Sequence, residues 1–141
     1  MTHPPVCPYC GRDAVHVNGR AIYGQRYPHL WKKWFWACWP CEAWVGAHGH
    51  QQRAYGTLAK APLRRLRHQA HQAFDPLWQE GLLPRKEAYV LLAKWLGCDP
   101  DLAHIGYLNE EWCRRVIELS QIEVEDRRLE RKAQELAQRC F

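Results

Sequence analysis

Cys7-Pro8-Tyr9-Cys10-Gly11 and, beyond residues 11–37, Cys38-Trp39-Pro40-Cys41 are the two stretches that decide how this chain folds. Each C-x-x-C brings two sulfurs onto one tight knuckle. Two facing knuckles make the tetrahedral four-sulfur cage that Zn²⁺ prefers. Gly11 suits a knuckle that must turn sharply while its backbone N–H groups point at sulfur. The spacer is long for a minimal ribbon and fits a hairpin insertion. One structural Zn²⁺ on Cys7, Cys10, Cys38 and Cys41 is therefore the first expectation. Disulfides and thioredoxin-like redox pairs fit poorly, because no βαβ pattern surrounds either pair and seven cysteines is an odd number. Cys98, Cys113 and Cys140 are left as small hydrophobes.

At 141 residues the chain has the length of one domain. Its first residues lack a charged-then-apolar leader, and no apolar run reaches the length of a membrane span. The expectation is a cytoplasmic protein without a membrane partner. The formal net charge is +5. By segment it is +4 over residues 1–53, +2 over 54–106 and −1 over 107–141. The basic excess thus sits with the cysteine region and the helix after it, which suits an anionic partner.

The expected fold class is α+β, with an N-terminal β-rich four-cysteine zinc ribbon packed on a C-terminal helical bundle. Residues 1–53 read as the ribbon. Residues 54–141 read as the helical region packed on it in one compact unit, with a long last helix over 109–140. Ala14-Val15-His16-Val17, Asn18-Gly19 and Arg20-Ala21-Ile22-Tyr23 read as strand, tight turn and strand. Residues 31–39 carry Trp31, Trp34, Phe35, Trp36 and Trp39, too many aromatics for one face of a strand. Either all of them are core, or one aromatic face stays exposed beside Lys32, Lys33, Arg20 and Arg26. Exposed rings with lysines are what a single-stranded nucleic acid uses, bases stacking and lysines following phosphate.

Residues 45–50 read as a loop bearing His48 and His50, which are either polar loop residues or alternative ligands. Leu63, Leu66, Ala70, Phe74 and Leu77 then form one helical stripe. Arg64, Arg65, Arg67, His68 and His71 occupy the opposite arc with no acid among them, a solvated face or a phosphate contact. A second helix follows Pro84 and ends at Gly97. Asn109 with Glu110 and Glu111 reads as the cap and first turn of the last helix. Trp112, Leu119, Ile122, Leu129, Ala133, Leu136 and Cys140 fall on a/d-like positions, interrupted by Arg115 and Asp126. That seam makes a homodimer through the C-terminal helix one candidate assembly and packing on its own domain the other.

Together with the cysteine motifs, Ile22-Tyr23-Gly24 and Trp36-Ala37-Cys38-Trp39-Pro40-Cys41-Glu42-Ala43-Trp44-Val45-Gly46 resemble a phage and prophage family. Gly56-Thr57-Leu58-Ala59, Ala70-His71-Gln72-Ala73-Phe74-Asp75-Pro76-Leu77-Trp78 and Arg85-Lys86-Glu87-Ala88-Tyr89 extend the resemblance. His104-Ile105-Gly106 with Cys113, Val116 and Ile117 completes it over roughly residues 6–120. That family is known only as a zinc-finger-containing domain. The resemblance implies a small viral protein of the host bacterial cytoplasm with a structural zinc, and no particular reaction. Ala103 stands where the family often has a cysteine, which takes a sulfur from any second metal site in that loop.

His48, Asp75 and His104, with His71, form a candidate functional cluster if the fold brings them into one cleft. A metal-dependent nuclease would need such a cluster. No H-E-x-x-H, deaminase signature or paired-acid motif accompanies it, and a closed four-cysteine set offers water no open position. Two larger readings therefore compete. One is a nucleic-acid-binding module that uses Lys32, Lys33, Trp34 and Trp36 on the ribbon with Arg64, Arg65, Arg67, His68 and His71 on the helix. The other is an adaptor or inhibitor of a host defence or transcription complex, with the Trp-rich face as its anchor.

Overall fold

In the computed structural model, which describes residues 3–49 and 53–140, β1 (Val15–Asn18), β2 (Trp34–Cys38) and β3 (Ala43–Ala47) form an antiparallel sheet in that order. The α+β class holds: the sheet and the cysteine cluster come first, and helices follow, ending in a long one. The chain divides into two units, one ending at Arg64 and the other beginning at Arg65. No helix among the described residues is long and apolar enough to cross a membrane.

The first correction falls on Asn18-Gly19. These residues do not turn a hairpin. The Asn18 side chain accepts from the Ala21 backbone N–H at 3.0 Å and caps a one-turn helix, α1 (Gly19–Tyr23). The partner of β1 is thus β2, with Val15 opposite Ala37 and Asn18 opposite Trp34. Asn is as good an N-cap as it is a turn residue, and a distant strand won the pairing. Gly19 is needed for room: a Cβ there would lie 1.9 Å from the Leu30 carbonyl oxygen. Its N–H also donates to Lys33 O at 2.8 Å. Gly19→Ala is expected to cost about 2 kcal/mol, read from the urea midpoint of the N-terminal unit, since backbone rather than a flexible side chain must give way.

The second correction concerns residues 45–50, of which 45–47 belong to β3 rather than to a loop. Ala43, Gly46 and Ala47 are poor strand formers in isolation, so pairing along β2 fixes them there. Gly46 lies under the Tyr55 ring, where a Cβ would approach within 2.9 Å. His48 lies just past the strand against Tyr55, and His50 falls outside the described residues. Beyond β3, Trp44 and Ala59 exchange two backbone hydrogen bonds of 3.1 Å, which adds a short edge to the sheet. The core of this unit is small: Cys7, Ala14, Trp36, Cys38, Ala43, Ala47 and Leu58. Two of its seven members are sulfur ligands.

Helix α2 (Ala61–Phe74) spans the division between the units, and α3 (Pro76–Gln79), α4 (Arg85–Leu96) and α5 (Glu110–Arg139) complete the chain. Gly97 ends α4 in the left-handed conformation at φ 68°, as its position suggests. Asn109 caps α5 by accepting from the Trp112 N–H at 2.9 Å. The expected seam of α5 is out of phase with the one that packs. Cys113, Val116, Ser120 and Val124 are buried, while Ile122, Leu129 and Leu136 face solvent. Small side chains let a helix approach its neighbours closely, so the packed stripe is less hydrophobic than the exposed one. α5 is also tied to the end of α3. Arg128 forks onto the Glu80 carboxylate, and Arg131 Nη2 donates to Glu80 O at 2.9 Å. Those guanidinium contacts hold the Glu80 carboxyl below its ordinary range.

Candidate metal centre

Cys7 to Gly11 fold into the first knuckle because the Gly11 N–H donates to Cys7 O at 2.9 Å and Gly11 adopts φ 78°. A bridge between Val6 and Asp13 closes its base. The second knuckle is the connection from β2 to β3. Glu42 N–H donates to Trp39 O at 3.1 Å, and Glu42 itself takes φ 52°. The residue after the second cysteine is thus left-handed in both knuckles, glycine in one and glutamate in the other. A non-glycine residue there carries about 1–2 kcal/mol of backbone strain, held in place by the sheet on either side.

The sulfurs of Cys7, Cys10, Cys38 and Cys41 all lie within 4.8 Å of one another, and the Cys10–Cys38 separation is 3.6 Å. Four sulfurs at about 2.3 Å from a tetrahedral zinc would stand about 3.8 Å apart. The geometry fits. Four thiols this close cannot all ionise by themselves, and their acidities split accordingly. Cys10 is lowered to about 7, chiefly because its sulfur accepts from the Arg12 backbone N–H. Cys41 is raised to about 12, first by its hydrogen bond to Cys10 and then by burial. A divalent cation removes the conflict by holding all four as thiolates. The set is complete with four sulfurs, so its chemistry is structural.

The other residues singled out from the sequence lie on several elements of the two units. Lys32, Lys33 and Trp34 are exposed, with Trp34 stacked on His16 at 4.6 Å between ring centres. Trp36 is 5% exposed and belongs to the core, so it presents nothing to a partner. On α2, Arg67 is 8% exposed and donates through Nε to Leu108 O at 3.0 Å. Arg64 lies over the Trp44 ring at 3.6 Å and donates to Ala59 O at 2.6 Å. Of the five-member cationic arc, only Arg65, His68 and His71 remain on an open helix face. His71 Nδ1 pairs with Asp75 Oδ1 at 3.5 Å, and the Trp78 indole N–H donates to the same oxygen at 3.3 Å. His104 lines a cleft with Arg85, Lys86, Tyr89, Pro100 and Asp101, and the His48 ring lies 4.1 Å from that of Tyr55, tilted at 50°, in the N-terminal unit.

Two clefts of the N-terminal unit gather residues that sequence reasoning missed. One, of about 470 Å³, is lined by Tyr23, Phe35 and Tyr55 together with Trp34, Lys32 and Lys33. The other, of about 860 Å³, lies at the second knuckle and includes Trp39, Glu42, Trp44, Lys60 and Arg64. Tyr23 stands between their aromatic groups. It contacts Phe35 at 5.8 Å and Trp44 at 6.2 Å, and its hydroxyl accepts from the Trp44 indole at 3.3 Å. Trp39 had a sequence signal: inside a knuckle the cysteines point at metal, so the residues between them point away.

Fold and site define a zinc-binding α+β protein whose metal stitches a small sheet. Residues 3–123 match the family DUF3268, described as a zinc-finger-containing domain, and the chain belongs to that family. Comparisons with curated proteins and with solved structures give no match.

Proposed function

We propose that the N-terminal unit binds nucleic acid. The observation that carries this reading is the aromatic groove rimmed by Lys32 and Lys33, with no carboxylate among its described lining residues. Its setting agrees. Through Arg64 the sequence holds eight Lys/Arg against two acids, whereas the remainder holds 12 against 13. A zinc held by four thiolates adds a net charge of −2, which leaves the unit positive. Phosphates follow the lysines, and exposed rings give bases a stacking surface.

Fluorescence anisotropy of a labelled oligonucleotide against salt tests this. The logarithm of the association constant should fall linearly with the logarithm of salt concentration. Reversing both lysines (Lys32→Glu with Lys33→Glu) should weaken binding at least tenfold and flatten the slope by about 1.4, two phosphate contacts at roughly 0.7 each. Absence of binding at low salt removes the reading.

A protein-binding role is favoured by a separate observation, the exposed Ile122, Leu129 and Leu136 at seven-residue spacing on α5. The partner that fits is a second copy of this chain, the three residues lying on one seam of a seven-residue repeat. Sedimentation should show a dimer that Leu129→Glu converts to monomer. A wild-type monomer at high concentration dismisses it.

A further inference from the structure

We infer that the cleft at the second knuckle is a subsite for one unstacked, amino-bearing base of a single strand, an assignment that rests on the nucleic-acid reading above. The cleft is large enough to take a nucleotide, at about 860 Å³. Trp39, 45% exposed, is one of its lining residues and offers a ring to solvent. Its lining also includes a fixed stack: the Arg64 guanidinium lies 3.6 Å from the Trp44 ring centre. Arg64 is held there by the carbonyls of Ala59 at 2.6 Å and Glu42 at 3.3 Å. Lys60, exposed and 4.7 Å from the Tyr9 ring centre, supplies a cation for the adjoining phosphate.

Glu42 is the one acid among the described residues lining the cleft. A carboxylate opposes phosphate but accepts from an exocyclic amino group, as carboxylates do with cytosine N4. Its left-handed backbone keeps it at the knuckle, beside Trp39 and Arg64. A base still paired and stacked has both faces covered, so a duplex must unstack before Trp39 can take one. Phe35 and Gly46 of the groove share one face of the sheet with Trp44 of the knuckle cleft by register, while Trp34 and Ala47 of the groove lie on the other. Tyr23 contacts both Phe35 and Trp44. A strand lying in the groove beside Lys32 and Lys33 would continue into the knuckle cleft.

The test uses the zinc-loaded full chain with oligo(dC), oligo(dT), their RNA counterparts and a duplex of equal length. Single strands should bind more tightly than duplex, and oligo(C) more tightly than oligo(dT) or oligo(U). The DNA and RNA arms report which sugar the site accepts. Trp39→Ala should weaken single-strand binding roughly tenfold, and Trp39→Phe should restore most of it. Both variants must keep their zinc. Glu42→Gly, which relieves backbone strain, should erase the preference for cytosine and leave oligo(dT) bound at least as well. Duplex bound as tightly as single strands, or Trp39 and Glu42 variants behaving as wild type while reversal of Lys32 and Lys33 still weakens binding at least tenfold, overturns the subsite and keeps the parent reading. Failure of the wild-type protein to bind any of these probes overturns both.

Discussion

Removing the metal with a strong chelator at neutral pH melts the N-terminal unit and leaves most of the helical ellipticity in place. The near-UV tryptophan signal should lose the share of Trp31, Trp34, Trp36, Trp39 and Trp44, while Trp78, Trp95 and Trp112, in the unit that begins at Arg65, keep theirs. The magnitude decides this. Structural zinc contributes about 10–16 kcal/mol in small fingers. The seven-member core around Cys7, Trp36 and Leu58, two of whose residues are themselves ligands, cannot replace that. The helical signal persists because α4 and the 30-residue α5 belong to the unit that begins at Arg65. Cys38→Ser should mimic chelation, with zinc content falling from one per chain to near zero. Simultaneous loss of the helices would show that the units fold as one, and an unchanged tryptophan spectrum would refute the ligand set.

Arg67→Ala should destabilise the C-terminal unit by about 3 kcal/mol, whereas Arg65→Ala two residues earlier should change it by less than about 0.5 kcal/mol. The contrast comes from burial. The Arg67 guanidinium reaches across to Leu108 O at 3.0 Å, just before the Asn109 cap of α5, and is nearly covered. Truncation leaves that carbonyl with only the weak Cys113 thiol donor, at 4.0 Å, and removes a nearly covered side chain; the thiol is itself pushed up by burial. Arg65 points to water. Equal effects in a thermal or urea melt would mean that Arg67 is held less firmly than its burial indicates.

These two residues also mark what sequence could and could not give. A helical wheel places Arg64, Arg65 and Arg67 on one arc, but Arg67 is buried with Ala70 and Phe74 on the packed face. Which of them meets water depends on neighbours supplied from residues 42, 44, 59 and 108, far away in the chain. The same holds for Asn18-Gly19, whose chemistry serves either a hairpin turn or a helix cap until a partner strand is chosen. Residues 45–47 read as loop because Gly46 and Ala47 carry no strand signal of their own, and only pairing with β2 makes them strand. In α5 periodicity marks the Ile122 and Leu129 face as a seam but not what it meets; the face that packs within the unit carries Cys113 and Ser120, and Ile122 and Leu129 face solvent.

The metal ligands, the α+β order, Gly97 and Asn109 at their helix ends, and the existence of a long final helix were all fixed locally, because sulfur spacing, capping chemistry and periodicity act over a few residues. Strand pairing, the phase of α5, the burial of Trp36 and Arg67, and the aromatic clefts around Tyr23 and Trp39 required the folded chain. Each of those depends on which distant groups exclude water from a side chain, and exclusion of water is a property of neighbours in space.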